Sequence, residues 1–275
     1  MILIPVLYFV KPLSEGKELR QSDIVNHIGV SKGIEEHREK YNEEPLWTDR
    51  VFGGMPTYMI STKYSGNKIR IIHRIFMLNY FTPVSYVFLL MLGFYIALTL
   101  FGVKPWLSLM GTIIYAFSSY FFIIIAVGHN SKVVALGYMP PIIAGVYSTY
   151  KNKSVFSSMI VSMFLALQIL ANHLQITYYT VMIIITYLIY EFNPAIKEKR
   201  VLSLIKPSFY LLIAILLAVG SNFSQLWTTI DYLQYSTRGR VDERDRLTIP
   251  KPPIIYVNWK EVQKQYNIYL KAYKK

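Results

Sequence analysis

The chain has no cysteine. That excludes a disulfide framework and a thiol nucleophile, and it is compatible with a face outside the cytoplasm. Charge is also scarce: Asp, Glu, Lys and Arg make up 16% of the 275 residues, against about 25% in an ordinary soluble domain. Acidic residues are the rarer kind, with 16 Asp and Glu against 29 Lys and Arg and a formal net charge of +13. No compact basic domain with interleaved aromatics accompanies that charge. Nucleic acid is therefore set aside, and anionic lipid headgroups and lipid phosphates are the expected partners. A Gly-rich phosphate loop, a Gly-x-Ser-x-Gly elbow and a zinc-protease His pair are all missing, which leaves ATP hydrolysis and proteolysis without support.

What is present is apolar. Hydrophobic residues are 53% and aromatic residues 15% of the chain, and mean hydropathy is +0.32. They gather in six runs, residues 83–101, 106–127, 133–150, 155–171, 176–190 and 208–227. Each reaches or approaches the ~20 residues that a bilayer-crossing helix needs. The expected architecture is an all-α, polytopic transmembrane helix bundle. Residues 1–10 are apolar but about half a span long. They lack the basic start and small-residue cleavage site of a signal peptide. They read as an interfacial stub or, the favoured expectation, as part of a first transmembrane helix whose start lies upstream. Pro140-Pro141 is expected to break or kink the third run.

Residues 11–79 form a long polar first loop. Residues 34–41 read as a charged surface helix, and residues 69–76, with Arg70 and Arg74, as an amphipathic helix lying on the bilayer. Gly53-Gly54 and Pro56 mark a turn. Trp47, Phe52, Met55 and Tyr58 suit packing at a membrane interface. Residues 80–230 hold the six runs, and residues 231–275 form a basic tail with a Pro250-Lys-Pro-Pro253 spacer.

Orientation follows from the short connections. One set carries Lys104, Lys151, Lys153, Lys197, Lys199, Arg200 and Lys206, and the other only Lys132. The positive-inside rule assigns the first set to the cytoplasm. The first loop, the tail and three polar knots then share the outer face of a multi-pass protein. The knots are Gly128-His129-Asn130-Ser131-Lys132, Asn172-His173-Leu174-Gln175 and Tyr235-Ser236-Thr237-Arg238-Gly239.

Each knot has a plain reading and a functional one. Lys132 is either a snorkelling helix-end cation or a point charge for a lipid phosphate, with His129 as donor and Asn130 beside it. Asn172, His173 and Gln175 either fill a tight turn or hydrogen-bond sugar hydroxyls and phosphate. Arg238 is either a surface cation or a phosphate ligand. Asp23 and Asp49 are candidate general bases, although a lone Asp in a polar segment is more commonly a helix cap or a solvated charge. No ligand pair at i, i+3 or i, i+4 supports a metal site, so no metal ligand is assigned.

Taken in order, several stretches resemble a known family. They are Gln21-Ser22-Asp23, Glu44-Pro45-Leu46-Trp47-Thr48, Phe52-Gly53-Gly54-Met55-Pro56, Ser118-Ser119-Tyr120-Phe121, the two knots at 128–132 and 171–179, and Tyr235-Ser236-Thr237-Arg238-Gly239. Together they resemble the YfhO-like family of bacterial membrane proteins, in the form seen in Bacteroidetes-type bacteria, over residues 7–240. That family looks like part of the GT-C superfamily of polytopic glycosyltransferases. The resemblance implies a bacterial inner-membrane enzyme that transfers a sugar from a polyprenyl-phosphate donor to a cell-surface polymer or lipid on the outer face. A divalent cation is an optional cofactor. An acidic residue in the first external loop serves as base, and Asp23 matches it by position, with Asp49 in reserve. Lys132, His129 and Arg238 then stabilise the departing phosphate, while Asn172, His173 and Gln175 orient the donor. Family members are longer, so the chain is expected to be a truncated member. A non-catalytic lipid-saccharide binder and a transporter or flippase are the rival readings. A transporter places its polar site near the bilayer midplane.

Overall fold

The structure, a computed structural model, describes residues 1–51, 53–61 and 66–233. The chain divides into two compact units, residues 1–229 and 230–275. Of the second, only residues 230–233 are described, as the end of a helix.

The first unit is mostly helical. Two short helices, α1 (Leu3–Tyr8) and α2 (Val10–Ser14), precede a long one, α3 (Ser22–Tyr41). Two-residue strands, β1 (Trp47–Thr48) and β2 (Met55–Pro56), pair antiparallel as a small hairpin, with Trp47 opposite Pro56 and Thr48 opposite Met55. This hairpin is the one departure from the all-α expectation among the described residues. Helix α4 (Ile69–Phe76) follows, then α5 (Val84–Leu100), α6 (Pro105–Ala116), α7 (Ser119–Val127), α8 (Asn130–Asn152), α9 (Val155–Leu170), α10 (Leu174–Lys197), α11 (Leu202–Ser221) and α12 (Phe223–Leu233).

Helix α3 begins twelve residues before the expected 34–41 helix, at Ser22. It ends at Asn42 in the left-handed conformation, which relieves the last carbonyls. Arg38, nearly buried, clamps the hairpin region to it. Its guanidinium bonds Glu44 Oε2 at 2.7 and 2.9 Å, Ser61 O at 2.6 Å and Glu35.

Helix α8 is the centre of the bundle. It packs most extensively on α5 and α9, and also meets α7, α10 and α11. Tyr138, Ile142, Ala144, Val133 and Ala135 are fully buried along it. The α5–α8 crossing is made by glycines. A Cβ on Gly93 would lie 1.9 Å from the Gly137 carbonyl oxygen, so no side chain fits there. Pro141, four residues on, has no N–H to offer that carbonyl. Gly93 packs against the carbonyl that Pro141 leaves without a helical donor. Consequently α8 runs unbroken through Pro140-Pro141, and the expected break is absent.

The break falls one run earlier. Residues 106–127 form two helices bent by 48° at Phe117-Ser118, because Ser118 is extended (φ −61°, ψ 135°). The last run is split as well. Asn222 ends α11; it is buried and its Nδ2 donates to Ala166 O at 3.0 Å and Ala218 O at 3.1 Å. Its Oδ1 accepts from Asn67 Nδ2 at 3.0 Å. A buried amide with these partners holds the corner between α11 and α12.

Among the described residues two helices, α10 and α11, are long and apolar enough to cross a membrane, and α6 with α7 makes a third if the bent pair is one span. Helices α5 and α9 are apolar but 17 and 16 residues long, about 25 Å at the helical rise. Wide apolar faces stay uncovered: Ile183, Ile185 and Ile189 on α10 and Leu212, Leu216 and Leu217 on α11 are exposed. A water-facing surface rarely carries so large a patch, and the pattern is that of a membrane protein.

Helix α4 presents Ile69, His73 and Phe76 to the bundle and leaves Ile71 and Ile75 outward. Phe76 stacks on Phe164 at 5.7 Å between centroids. His73 Nδ1 lies 2.8 Å from the Tyr138 hydroxyl. Burial, with the charge of Arg70, pushes the His73 pKa down to about 4. The ring is therefore neutral, and its Nδ1 shares a hydrogen bond with that hydroxyl.

Candidate functional site

With α6 and α7 taken as one span bent by 48°, the helical segments from α5 onward run back and forth along the bundle. The turns at 128–129, 171–173 and 222 therefore meet at one end of the bundle, and those at 102–104, 153–154 and 198–201 at the other. The first end holds the candidate site.

Its scaffold is the turn between α7 and α8. Gly128 closes α7 with φ +108°, a conformation glycine adopts without strain. Its missing side chain also makes room for α3: a Cβ there would lie 3.1 Å from the Cβ atoms of both Gln21 and Asp23. The start of α3 is seated on this turn by three side chains. Gln21, 7% exposed, exchanges hydrogen bonds with Asn130, Nε2 to Oδ1 at 2.8 Å and Nδ2 to Oε1 at 3.0 Å. Its Nε2 also donates to Ile125 O. Ser22 Oγ donates to Val127 O at 3.1 Å. Asp23 Oδ2 then lies 3.1 Å from His129 Nδ1, with both side chains about half exposed.

Lys132, in the first turn of α8, extends over the Tyr120 ring at 5.4 Å. From the neighbouring turn, His173 comes close enough for Lys132 and His129 to act on its charge. Burial above all, then those two groups, hold the His173 imidazole below its ordinary range, against a backbone hydrogen bond that raises it. His173 is therefore neutral near pH 7, and its Nδ1 is buried without a well-formed hydrogen bond among the described residues. Asp23, His129, Asn130, Lys132 and His173 thus form one cluster, half open to solvent, that joins a carboxylate, an ammonium and two imidazoles.

Other candidates stand apart. Asp49 borders a separate surface pocket beside Gly33 and His37, ten residues along α3 from Asp23, or about 15 Å at the helical rise. It does not join the cluster. Asn172 is exposed, in the turn between α9 and α10, with φ +55°. Gln175 is exposed and donates to the Tyr179 hydroxyl at 2.8 Å. Arg238 and Phe52 lie outside the described residues, as does all but the first three residues of the 231–275 tail. Among the described residues no group of three or more His, Asp or Glu is arranged to hold a metal ion.

Sequence reasoning passed over Gln21, whose role is to seat Asp23. The signal was its adjacency in Gln21-Ser22-Asp23, but only the fold shows that its partner is 109 residues away. Gln168 was passed over as well. It is fully buried, and its Nε2 donates to Ala135 O at 3.1 Å and Thr180 Oγ1 at 3.0 Å, tying α9 to α8 and α10.

The chain matches no protein-family model, no curated protein and no solved structure.

Proposed function

We propose that the chain is a membrane-embedded glycosyl-transfer module of the YfhO-like, GT-C type, working on a polyprenyl-phosphate sugar at the outer face of a bacterial inner membrane. One observation carries this reading: Asp23 is held 3.1 Å from His129 at the same bundle end as Lys132 and His173. The pair supplies a base, and the others supply charge and hydrogen bonding for a phosphate. In this reading Asp23 takes the proton of an acceptor hydroxyl. The hydroxyl oxygen forms a bond to the anomeric carbon as the bond from that carbon to the lipid phosphate breaks. Lys132 meets the charge released on the phosphate, and neutral His173 donates a hydrogen bond to it. The opposite bundle end carries Lys104, Lys151, Lys153, Lys199 and Arg200, which supports an outward-facing site. The exposed faces of α10 and α11 support a polytopic bundle in which the shorter helices also cross the bilayer.

Purified protein in nanodiscs, supplied with polyprenyl-phosphate sugars, is expected to release polyprenyl phosphate. Asp23→Asn is expected to lower the rate by about 10²–10⁴-fold while leaving thermal unfolding near wild type. Equal rates in the two proteins would remove Asp23 as the base.

A second reading has its own observation. Asp23 lies in the first turn of α3 and is already paired, a placement that stabilises a helix start with no chemistry at all. In that case the module binds a lipid-linked saccharide without transferring it, and binding persists in Asp23→Asn with no turnover in either protein. A transporter gains nothing here, because the cluster lies at a bundle end and not at mid-length.

A further inference from the structure

We propose a separate saccharide-binding pocket between the β1–β2 hairpin and the second half of α3, built on Trp47, Asp49, Arg50, Glu36 and His37. It does not depend on the transfer chemistry, because it lies about 15 Å along α3 from Asp23 and shares no residue with that cluster.

The pocket has a volume of about 200 Å³ and is lined mainly by polar atoms. Its floor is Gly33 and the buried Ile34. Gly33 allows the floor to be shallow, since a Cβ there would come 2.7 Å from Arg50 Nε. The Arg50 side chain therefore lies flat across α3, with Nη2 3.6 Å from Glu36 Oε2. On the opposite wall Trp47 is 61% exposed. Its indole is propped from the hairpin side by Gly54, where a Cβ would sit 2.8 Å from Nε1. Gly54 has φ +128°, so a substituted residue there is strained and collides with the ring. The hairpin is itself anchored: Thr57 Oγ1 donates to Pro45 O, and Arg38 holds Glu44 and Ser61. These bonds tie both sides of the hairpin to neighbouring backbone and to α3. The Asp49 carboxylate makes no hydrogen bond or ion pair, although it borders this pocket.

This combination selects a ligand class. A pyranose ring has a C–H-rich face and a rim of hydroxyls. The indole face, with its negative quadrupole, attracts polarised C–H groups. Carboxylates accept hydroxyl protons and a guanidinium donates to hydroxyl oxygens, in the charge-assisted bonds that a neutral polyol can satisfy from both sides. Arg50 and, from outside the lining, Lys32 at 3.7 Å are both engaged by Glu36, so a phosphate or a uronate would meet the Asp49 carboxylate and is disfavoured here. The ligand is therefore a neutral or amino sugar ring.

The test uses the full chain in nanodiscs and saturation-transfer NMR with the methyl β-glycosides of glucose, galactose and N-acetylglucosamine. The expected result is a saturable signal on ring C–H protons from at least one probe, absent with empty nanodiscs. Trp47→Ala is expected to weaken it at least about tenfold, in line with loss of an aromatic anchor. Trp47→Phe should retain most of it, and Trp106→Ala, which removes an exposed tryptophan at the start of α6, should leave it unchanged. Asp49→Asn keeps the test open if Trp47→Ala folds poorly, because it is near-isosteric and breaks no Asp49 ion pair or side-chain hydrogen bond among the described residues; a loss of about threefold or more is expected. No saturable signal with any of the three probes overturns the pocket. So does a signal indifferent to both Trp47 and Asp49, or one lost equally in Trp106→Ala.

Discussion

The two ends of the bundle differ in how far their charged and amide side chains reach, although Tyr150 also pairs with Ser208 at the end away from Asp23. At the end that carries Asp23, side chains reach partners far away in sequence: Gln21 to Asn130, Asp23 to His129, Asn67 to Asn222 and Gln225 to Ile169. At the other end the charged groups stay local. Lys151 bonds Tyr147, Arg200 pairs with Glu198, and Lys206 lies over Tyr210, all within four residues. Long-range polar contacts order side chains at an entropic cost, so they accumulate where geometry matters. Local, solvated charges do not fix a position, and they suit a surface that meets lipid headgroups or sets orientation.

The sharpest way to break this contrast is to unseat α3. Gln21→Leu leaves the Asn130 amide and the Ile125 carbonyl without their partner. A loss of about 2–3 kcal/mol is expected, read as a lower midpoint in thermal unfolding and faster proteolysis of residues 22–41. An unchanged midpoint would mean that α3 is held by something other than this amide pair.

Acid should come next, at His73 beneath α4. Its folded pKa, about 4, is below the unfolded value of 6.5. The unfolded chain therefore binds the proton first, so stability is full above pH 6.5 and falls as pH drops from 6.5 to 4. The loss is on the order of 3 kcal/mol by pH 4. Comparing unfolding midpoints of wild type and His73→Phe across that window checks it, since the variant should lack this slope.

Gly128→Ala adds a Cβ 3.1 Å from those of Gln21 and Asp23 at a positive φ, and about 1–2 kcal/mol of destabilisation is expected. Hydrogen exchange should quicken at the start of α3 and leave α8–α9 unaffected. The smallest effect belongs to the opposite end: Lys199→Gln should move stability by less than about 0.5 kcal/mol. A larger change would show that this end is organised after all.

The apolar runs were legible because hydrophobicity is a local property. Runs at 83–101 and 155–171 became α5 and α9 within one residue at nearly every boundary. The limits of α10 were less visible. It spans residues 174–197, beyond the 176–190 run, because Glu191, Asn193 and Lys197 continue the helix after the apolar stretch has ended. The break in the bundle was misplaced for a related reason. Proline signals a missing donor, but the carbonyl it orphans can be covered from another helix, here at Gly93. An extended Ser118 gives no signal in composition. In the candidate site, His129, Asn130 and Lys132 stood out as polar residues between apolar runs. The convergence of Asp23 on them did not, since nothing local ties residue 23 to residue 129.

By itself the sequence determined the apolar helices, the scarcity of charge, the basic asymmetry between connections and the polar knots at helix ends. All of these depend on residue type and near-neighbour spacing. Only the tertiary structure decided that α3 docks on the Gly128 turn and that Asp49 stands apart from Asp23. It also decided that α8 passes intact through two prolines and that Trp47 faces a polar pocket. Those outcomes depend on close approaches between residues distant in the chain, where a missing Cβ or a single amide pair determines which surfaces can meet.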